Sequence, residues 1–335
     1  MSRIAVIGAG AWGTALAAVL AGRGSHAIAL WSHTERVAAD IAKNRENHLY
    51  LPGIPVPEGV RTTSNLEAAL DNAEIVVTVA PSEHLRATLR SMAPYLTPQQ
   101  AIVNATKGLE DGTGLRMTQV IGEVLAAHSL QLPCCVLSGP SFAQEVAAGS
   151  PTAMTIAAAQ PELAARIRKE FSGPSLRLYT NEDVVGVELG GALKNVIALA
   201  SGLVTGLGLG HNSIAALITR GIAEMTRLAM TQGARRETLA GLSGLGDLVL
   251  TCTGTLSRNR HVGMELGRGR GLEDVLAGMH GQVAEGVRTT RAALGLAAQA
   301  HVEMPITEQV AAILDGRLSP LEAMRELMSR PGRDE

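Results

Sequence analysis

One lysine lies in the middle of a long apolar segment, VELGGALKNVIALASG. Lys194 is the only lysine or arginine between Arg177 and Arg220. If the segment is a helix, the neighbours on the lysine's face are small, namely Gly190, Gly191 and Ala198. A lysine buried among apolar residues is costly unless it is paired or exchanges a proton with a bound molecule. We favour a proton-transfer role over the alternative, a lysine whose end reaches the surface.

A second polar cluster follows in GLSGLGDLVLTCTGTLSRNR. Asp247 lies among predicted glycine-rich turns and could orient the Lys194 ammonium or a substrate hydroxyl. Ser257, Arg258 and Asn259 open a predicted helix. A hydroxyl, a guanidinium and an amide at a helix start can together bind a phosphate or a carboxylate. The alternative is that Ser257 only caps the helix and Arg258 is a surface charge.

Small motifs follow three predicted buried strands. VAPSE comes after one strand, NATKGLE places Lys107 after the next, and SGPSFA places Gly139 and Ser141 after a third. Ligands of open α/β sheets bind beyond the carboxyl ends of the strands. These residues are therefore expected to line a ligand site, although Lys107 could instead be a solvated loop residue.

The amino-terminal stretch, MSRIAVIGAGAWGTALAAVLAGRG, holds G-x-G-x-x-G as Gly8, Gly10 and Gly13. Its pattern predicts a buried strand over residues 3–7, a turn over 8–13 and a helix over 14–22. In this setting the first glycine permits a tight turn, the second lets the backbone approach a pyrophosphate, and the third lets helix and strand pack closely. We therefore favour a dinucleotide site over a signal peptide or a membrane span, which needs about 20 strongly apolar residues.

The next predicted strand, residues 26–32, bears on which dinucleotide binds. NAD-specific proteins place an acid near the end of this strand, where it holds the ribose 2′-hydroxyl. Here the strand ends in Ser32 and His33, with Arg36 nearby and Glu35 as the only acid. We expect a 2′-phosphate to be tolerated; the alternative is that these are solvated residues at a helix start.

The order of the predicted strands and helices indicates which fold would position these residues. Strands and helices alternate up to residue 180, which predicts a doubly wound, mostly parallel sheet whose last strands can be antiparallel additions. After the first two, the strands are expected at residues 74–80, 101–106, 134–139, 151–158 and 175–180. The helices between them are expected at residues 66–72, 83–95, 115–128 and 161–171.

Helical patterns alone follow residue 180, and a capping box over residues 180–183 is expected to start the first of these helices. They are expected at residues 183–205, 211–232, 257–266, 287–299, 305–314 and 320–328. We place the domain boundary so that residues 1–189 form the α/β dinucleotide-binding domain and residues 190–335 an all-helical substrate and catalytic domain.

Composition excludes several classes of function. The net charge is −2 and aromatic residues make up 2 % of the chain, which argues against nucleic-acid binding. The three cysteines, Cys134, Cys135 and Cys252, have no CxxC spacing, and no histidine cluster suggests a metal. We expect three buried thiols in a reducing cytoplasm, no metal and no membrane span.

Together these residues resemble the bacterial soluble NAD(P)-dependent glycerol-3-phosphate dehydrogenases. The resemblance runs nearly end to end and includes GAGAWGTALA, TKGLE, SGPSFAQEV, ELGGALKNV, GLSGLGDLVLTC, SRNR and VAEGVRT. It implies a Rossmann domain, a helical domain of the 6-phosphogluconate-dehydrogenase-like type, and a homodimer. The implied reaction is reversible reduction of dihydroxyacetone phosphate to sn-glycerol 3-phosphate with NADP or NAD, which supplies the phospholipid backbone.

The family pattern also implies residue roles. Lys194 would be the proton acceptor, with Asp247 beside it in the catalytic machinery. The implied substrate contacts are Lys107, Gly139, Ser141, Lys194, Asp247, Ser257, Arg258 and Asn259. The cofactor contacts, including the glycine turn, are Gly8, Gly10, Ala11, Trp12, Gly13, His33, Tyr50, Lys107, Ala143, Arg258, Val283 and Glu285.

Three positions depart from the family pattern. Ala11 stands where serine is common, His33 where arginine is usual, and His211 where aspartate is commoner. The change at His33 predicts weaker or pH-dependent binding of a 2′-phosphate. Two other functions stay open at this point: a related dehydrogenase of a small β-hydroxy acid, and an NADPH-binding redox sensor without catalysis.

Overall fold

The computed structural model describes residues 2–24, 26–279 and 283–332. The chain divides into two compact units, Met1–Lys107 with Arg116–Val187, and Gly108–Leu115 with Glu188–Glu335. The boundary expected after residue 189 stays a prediction. The structural division falls two residues earlier and assigns the short segment 108–115 to the second unit.

The first unit is built on one open sheet, which has eight strands in the described part of the chain. The strands of the unit are β1 (Ser2–Ile7), β2 (His26–Trp31), β3 (Glu46–Asn47), β4 (Leu51–Pro55), β5 (Val60–Thr63), β6 (Ile75–Thr78), β7 (Ala101–Asn104), β8 (Cys134–Ser138), β9 (Thr152–Ala157) and β10 (Leu176–Asn181). β3 and β4 form a small separate hairpin, and the other eight strands form the sheet. The sheet order is β10-β9-β8-β7-β6-β1-β2-β5. The predicted doubly wound fold is confirmed.

Strand direction also follows the prediction. β1 pairs in parallel with both β2 and β6, and β7 pairs in parallel with both β6 and β8. β9 runs antiparallel to β8, and β10 runs parallel to β9. The last two strands are therefore the expected antiparallel additions.

Burial explains why the central strands form where they do. Residues 4–7 of β1, all of β6 and all of β7 are buried, as expected for strands covered by helices on both faces. The covering helices of the first unit are α1 (Ala11–Gly22), α2 (Glu35–Asn44), α3 (Leu66–Leu70), α4 (Ser82–Met92), α5 (Met117–Ala127), α6 (Ala143–Ala147) and α7 (Pro161–Phe171).

The sequence did not reveal three strands and two helices of this unit: β3, β4, β5, α2 and α6. β5 is an edge strand with polar residues and lacks an apolar run, so its pattern does not stand out. β4 contains two prolines and a glycine, residues that ordinarily signal a loop. The expectation of three buried thiols is partly wrong, because Cys134 is only half-buried.

The regular elements in the described residues of the second unit are helices, and its short segment 108–115 contains no helix. The unit contains α8 (Val184–Gly206), α9 (His211–Thr231), α10 (Arg236–Leu239), α11 (Asp247–Thr253), α12 (Arg258–Gly267), α13 (Leu272–Ala277), α14 (Glu285–Ala300), α15 (Pro305–Leu314) and α16 (Pro320–Ser329). A π-helical turn, Leu242–Gly246, precedes α11. α8 begins in the last residues of the first unit.

Glycines let α8 and α12 pack backbone to backbone. A Cβ built on Gly202 would overlap the carbonyl oxygen of Arg260, and one on Gly263 would overlap that of Leu199. Close approach of this kind requires residues without side chains. It fixes α12, and therefore the Ser257–Asn259 segment at its start, against the helix that carries Lys194.

Two local predictions in this region are wrong. Asp183, and not the residue three positions earlier, caps α8: its Oδ1 accepts a hydrogen bond from the Gly186 amide at 2.8 Å. Asp247 does not lie in a turn but begins the short helix α11.

Candidate active site

The amino-terminal glycines occupy the positions that a dinucleotide turn requires. Gly8 has φ +127°, and a Cβ there would lie 3.0 Å from the backbone of Val79. A Cβ on Gly13 would overlap the carbonyl oxygen of Gly8. Gly10 faces open space, and no side chain caps the start of α1 there. The open helix start leaves amide N–H groups for an anion such as a pyrophosphate.

We expect Gly13→Ala to lower the free energy of unfolding by about 3 kcal/mol, since the added methyl group meets backbone that cannot move aside easily. It should also weaken dinucleotide binding. Gly22→Ala, at the other end of α1 with nothing near its Cβ, is the matched control and should change stability by less than about 1 kcal/mol. Urea unfolding of both variants checks this; equal losses would contradict the packing argument.

Three other predicted cofactor residues lie in the same unit. The indole Nε1 of Trp12 is buried and has no hydrogen-bond partner among the described residues. Tyr50 is half-buried and packs against the same core cluster as Trp12. His33 is exposed after β2, with its ring edge-on to Trp31 at a centroid distance of 6.0 Å. The open glycine turn and the unsatisfied buried N–H of Trp12 are both consistent with a bound dinucleotide.

Lys107, Gly139 and Ser141 come together at the carboxyl ends of β7 and β8. The Lys107 Nζ donates to the Gly139 carbonyl at 2.8 Å and lies 3.4 Å from the Ser141 Oγ. Gly139 has φ +136°, and a Cβ there would lie 3.0 Å from Met154. A glycine is therefore required at this bend, and the lysine charge is held at the ligand-binding edge of the sheet. Ala143 follows at the start of α6.

The second unit holds a buried cluster of three hydrogen-bonded side chains. The Lys194 Nζ donates to Asp247 Oδ1 at 2.5 Å and to Thr251 Oγ1 at 2.7 Å. Thr251 donates in turn to the Asp247 backbone carbonyl at 2.6 Å. The side chains of Lys194 and Asp247 are 8 % and 1 % exposed. A carboxylate and a hydroxyl thus fix the direction of the ammonium, as a group that gives or takes a proton at a defined place requires.

One of the small residues around Lys194, Gly190, permits a close contact within the chain. A Cβ on Gly190 would lie 2.6 Å from the backbone oxygen of Ser243, so the turn before α11 occupies that space. The backbone of this turn therefore approaches α8 closely at Gly190. The effect is to bring the beginning of α11, and Asp247 with it, within reach of Lys194.

The Ser257–Asn259 segment caps a helix and also contributes to the wall of a cavity. Ser257 is the N-cap of α12, and its Oγ accepts from the Arg260 amide at 3.2 Å. Asn259 is buried: its Nδ2 donates to Asn195 Oδ1 and its Oδ1 accepts from the Gly286 amide, both at 2.9 Å. Ser257 and Arg258 line a cavity of about 270 Å³, close to the smallest size usual for ligand pockets.

Arg258 is the charged group of this cavity. Its side chain is exposed, yet desolvation by surrounding protein lowers the pKa of the guanidinium, and the negative charge of Glu285 partly offsets that shift. An arginine remains charged even so. Glu285 begins α14, and Val283 precedes it. The predicted residues of this unit therefore lie around the starts of α12 and α14 and beside Lys194.

Thr251 and Asn195 were not predicted from the sequence. Thr251 is four residues after Asp247, a spacing that places both on one face only once the segment is known to be helical. Asn195 follows Lys194 directly, and no sequence pattern distinguishes it from an ordinary helix residue. Among the described residues no group of histidine, cysteine and carboxylate side chains could hold a metal ion.

These features define a class of protein. A doubly wound sheet with an open, glycine-lined helix start is the dinucleotide-binding arrangement of nicotinamide-dependent dehydrogenases. A buried lysine held by a carboxylate is a group able to transfer a proton. Two family models match the chain. The N-terminal model of NAD-dependent glycerol-3-phosphate dehydrogenase matches residues 3–164, and the C-terminal model matches residues 183–325. The chain belongs to the NAD-dependent glycerol-3-phosphate dehydrogenase family.

Individual relatives agree with the family models. Over the full length of both chains, this sequence is 64 % identical to glycerol-3-phosphate dehydrogenase [NAD(P)+] of Acidobacterium capsulatum. It is 58 % identical to the enzyme of that name from Koribacter versatilis, covering 100 % of this chain and 99 % of the other. The crystal structure of glycerol-3-phosphate dehydrogenase from Coxiella burnetii superposes with a TM-score of 0.93, at 40 % identity, covering 98 % of this chain and 99 % of the other.

Proposed function

We propose that this protein reduces dihydroxyacetone phosphate reversibly to sn-glycerol 3-phosphate with NADPH or NADH, and so supplies the backbone for phospholipid synthesis. The observation that carries the proposal is the buried Lys194–Asp247–Thr251 cluster, since an ammonium held by a carboxylate and a hydroxyl can transfer the proton of a ketone–alcohol conversion. The names of the full-length relatives support the same substrate.

Lys194 acts on the substrate oxygen. In the direction of reduction its ammonium donates a proton to the oxygen that becomes the hydroxyl, and its charge stabilises the negative charge developing there. In the reverse direction the amine takes the hydroxyl proton. Asp247 and Thr251 accept hydrogen bonds from Nζ and thereby fix where the remaining N–H bond points.

Arg258 is the anchor for the substrate phosphate. Guanidinium groups bind phosphate oxygens in pairs, and this one is exposed on the wall of a small cavity. Anchoring one end of a three-carbon substrate limits where its carbonyl carbon can lie, which favours reaction. Ser257 and Asn259 hold the helix start in place, and Lys107 with Gly139 and Ser141 is proposed as the second substrate contact.

The glycine turn, Trp12, His33 and Tyr50 hold the dinucleotide, with Ala143, Val283 and Glu285 as further contacts. When bound, the nicotinamide supplies or removes the hydride. The absence of an acid at the end of β2 leaves room for the extra phosphate of NADP, which the exposed His33 can face.

His33→Arg is expected to strengthen NADPH binding about five-fold, because arginine adds a permanent charge and a paired donor for phosphate. NADH binding should change less than about two-fold, since it lacks that phosphate. His128→Arg, an exposed substitution after α5, controls for the added charge. Fluorescence titration gives all these dissociation constants; an equal gain for NADH would exclude His33 from the 2′-phosphate site.

We further propose that the protein is a cytoplasmic homodimer. One described helix, Val184–Gly206, is long and apolar enough to cross a membrane, but 89 % of its most apolar window is buried inside the protein. That burial favours a core helix over a membrane span. Sedimentation at micromolar protein concentration tests the oligomeric state: twice the chain mass supports the dimer, and the chain mass alone contradicts it.

Initial rates test the proposed reaction. Oxidation of NADH or NADPH should be fast with dihydroxyacetone phosphate and slow with dihydroxyacetone, which lacks the phosphate. Turnover of a small β-keto acid in preference to the phosphorylated ketone would instead support the β-hydroxyacid dehydrogenase. Binding of NADPH with no turnover of any of these substrates would support the redox sensor.

A further inference from the structure

Asn47 is a fully buried amide in the short strand β3, with a relative exposure of 0 %. Its Nδ2 donates to the Ala9 carbonyl at 2.9 Å and to the Thr14 hydroxyl at 2.8 Å. Its Oδ1 accepts from the Tyr50 amide at 3.1 Å. Both N–H groups and the carbonyl of the side chain are therefore used. An amide that is buried and fully bonded fixes the position of each partner.

The two donor bonds span the glycine turn. Ala9 precedes Gly10, and Thr14 lies in the first turn of α1, where its amide donates to the Gly10 carbonyl at 2.9 Å. Asn47 thus holds the chain on both sides of the open helix start. No residue of the described chain has a cis peptide bond, and in a trans peptide the C=O and the following N–H point in opposite directions. By fixing the Ala9 carbonyl, Asn47 fixes where the Gly10 N–H points.

The acceptor bond connects this turn to a second part of the cofactor site. Tyr50 is in the loop after β3, and its side chain packs on the same core cluster as Trp12. One amide therefore sets the distance between the turn that would hold the pyrophosphate and the loop that carries Tyr50. Neither the dinucleotide fingerprint nor the roles implied by family resemblance include Asn47.

The loop that carries Asn47 is anchored independently. Arg45 donates from Nε to the Val56 carbonyl and from Nη1 to the Val60 carbonyl, both at 3.1 Å. Glu46 Oε1 accepts from the Gly53 amide at 2.8 Å. These bonds remain when Asn47 is replaced. Loss of the amide should therefore release the glycine turn more than the loop itself.

We propose that Asn47 is a positioning residue for the dinucleotide: it holds the glycine turn in the form that receives the pyrophosphate and sets its distance from Tyr50. This inference rests on the proposed cofactor site. It predicts that Asn47 affects binding of the dinucleotide and leaves the proton-transfer step in the second unit unchanged.

The test compares Asn47→Ala with Gln100→Ala. Gln100 is also a buried amide that bonds to backbone on both sides, accepting from Thr97 N and donating to Leu70 O, but it lies at the amino end of β7, away from the proposed site. Asn47→Ala should raise the Kd of NADPH and of ADP about ten-fold, the effect of losing one well-placed contact. With saturating NADPH its kcat should stay within about two-fold of wild type, and Gln100→Ala should bind NADPH as wild type does.

Two results overturn the inference: an unchanged Kd in Asn47→Ala, whether or not kcat falls, or an equal loss of affinity in Gln100→Ala. If Asn47→Ala does not fold, Thr14→Val takes its place, since it removes one acceptor of the amide and should weaken NADPH binding about three-fold. A wild-type protein that does not bind NADPH would instead overturn the proposed cofactor site, so the two failures are distinguishable.

Discussion

Lys194→Met is expected to lower kcat about a thousand-fold, because it removes both the proton donor and the positive charge that stabilises the developing alkoxide. Methionine is unbranched and keeps most of the length of the side chain, and it removes the ammonium that Asp247 and Thr251 hold. The glycine turn is untouched, so NADPH should bind within about two-fold of wild type. Steady-state rates and a fluorescence titration measure the two effects separately.

Folding is the necessary control for this variant. Removing one partner of a buried ion pair leaves an uncompensated charge and typically costs about 3–5 kcal/mol. The double variant Lys194→Met/Asp247→Asn removes both charges and should recover most of that stability while remaining inactive. Retention of more than about a tenth of the wild-type rate in either variant, a barrier change of only ~1.4 kcal/mol, would exclude the proposed role of Lys194.

Arg258→Ala is expected to raise the KM for dihydroxyacetone phosphate about thirty-fold, which corresponds to one lost charged hydrogen-bonding group. The slow rate with dihydroxyacetone should hardly change, because that substrate has no phosphate for the arginine to bind. A variant rate that falls equally with both substrates would place Arg258 in the chemical step and not at the phosphate.

Arg291→Ala is the matched control for Arg258→Ala. Arg291 is also an exposed arginine of the second unit, and it pairs with Asp315 at 3.2 Å. Exposed pairs contribute little stability, at most about 1 kcal/mol. The control should leave the KM for dihydroxyacetone phosphate unchanged, which separates loss of a specific contact from loss of positive charge on the surface.

The sequence predicted the parts of the fold that have a strong local pattern. Runs such as residues 4–7, buried on both faces, and the long apolar helix Val184–Gly206 could be identified without any tertiary information. β5 could not, because edge strands tolerate polar residues, and the antiparallel hairpin of β3 and β4 is interrupted by proline and glycine. Short helices such as α6 lack enough residues to show a period.

The site was predictable where a residue type was unusual for its surroundings. A lone lysine in an apolar helix and three glycines after a buried strand are such cases. Thr251 was missed because its relation to Asp247 depends on the helical form of α11. Asn47 was missed because its partners, Ala9 and Thr14, are more than thirty residues away in sequence. Long-range hydrogen bonds leave no local pattern.

Product stoichiometry tests the central proposal most directly. Purified protein is mixed with dihydroxyacetone phosphate and a limiting amount of NADPH, or of NADH, and the products are measured when the cofactor is consumed. We expect one sn-glycerol 3-phosphate for each reduced cofactor oxidised, with at least one of the two cofactors. Oxidation of cofactor without that product, or no oxidation with either cofactor, would contradict it.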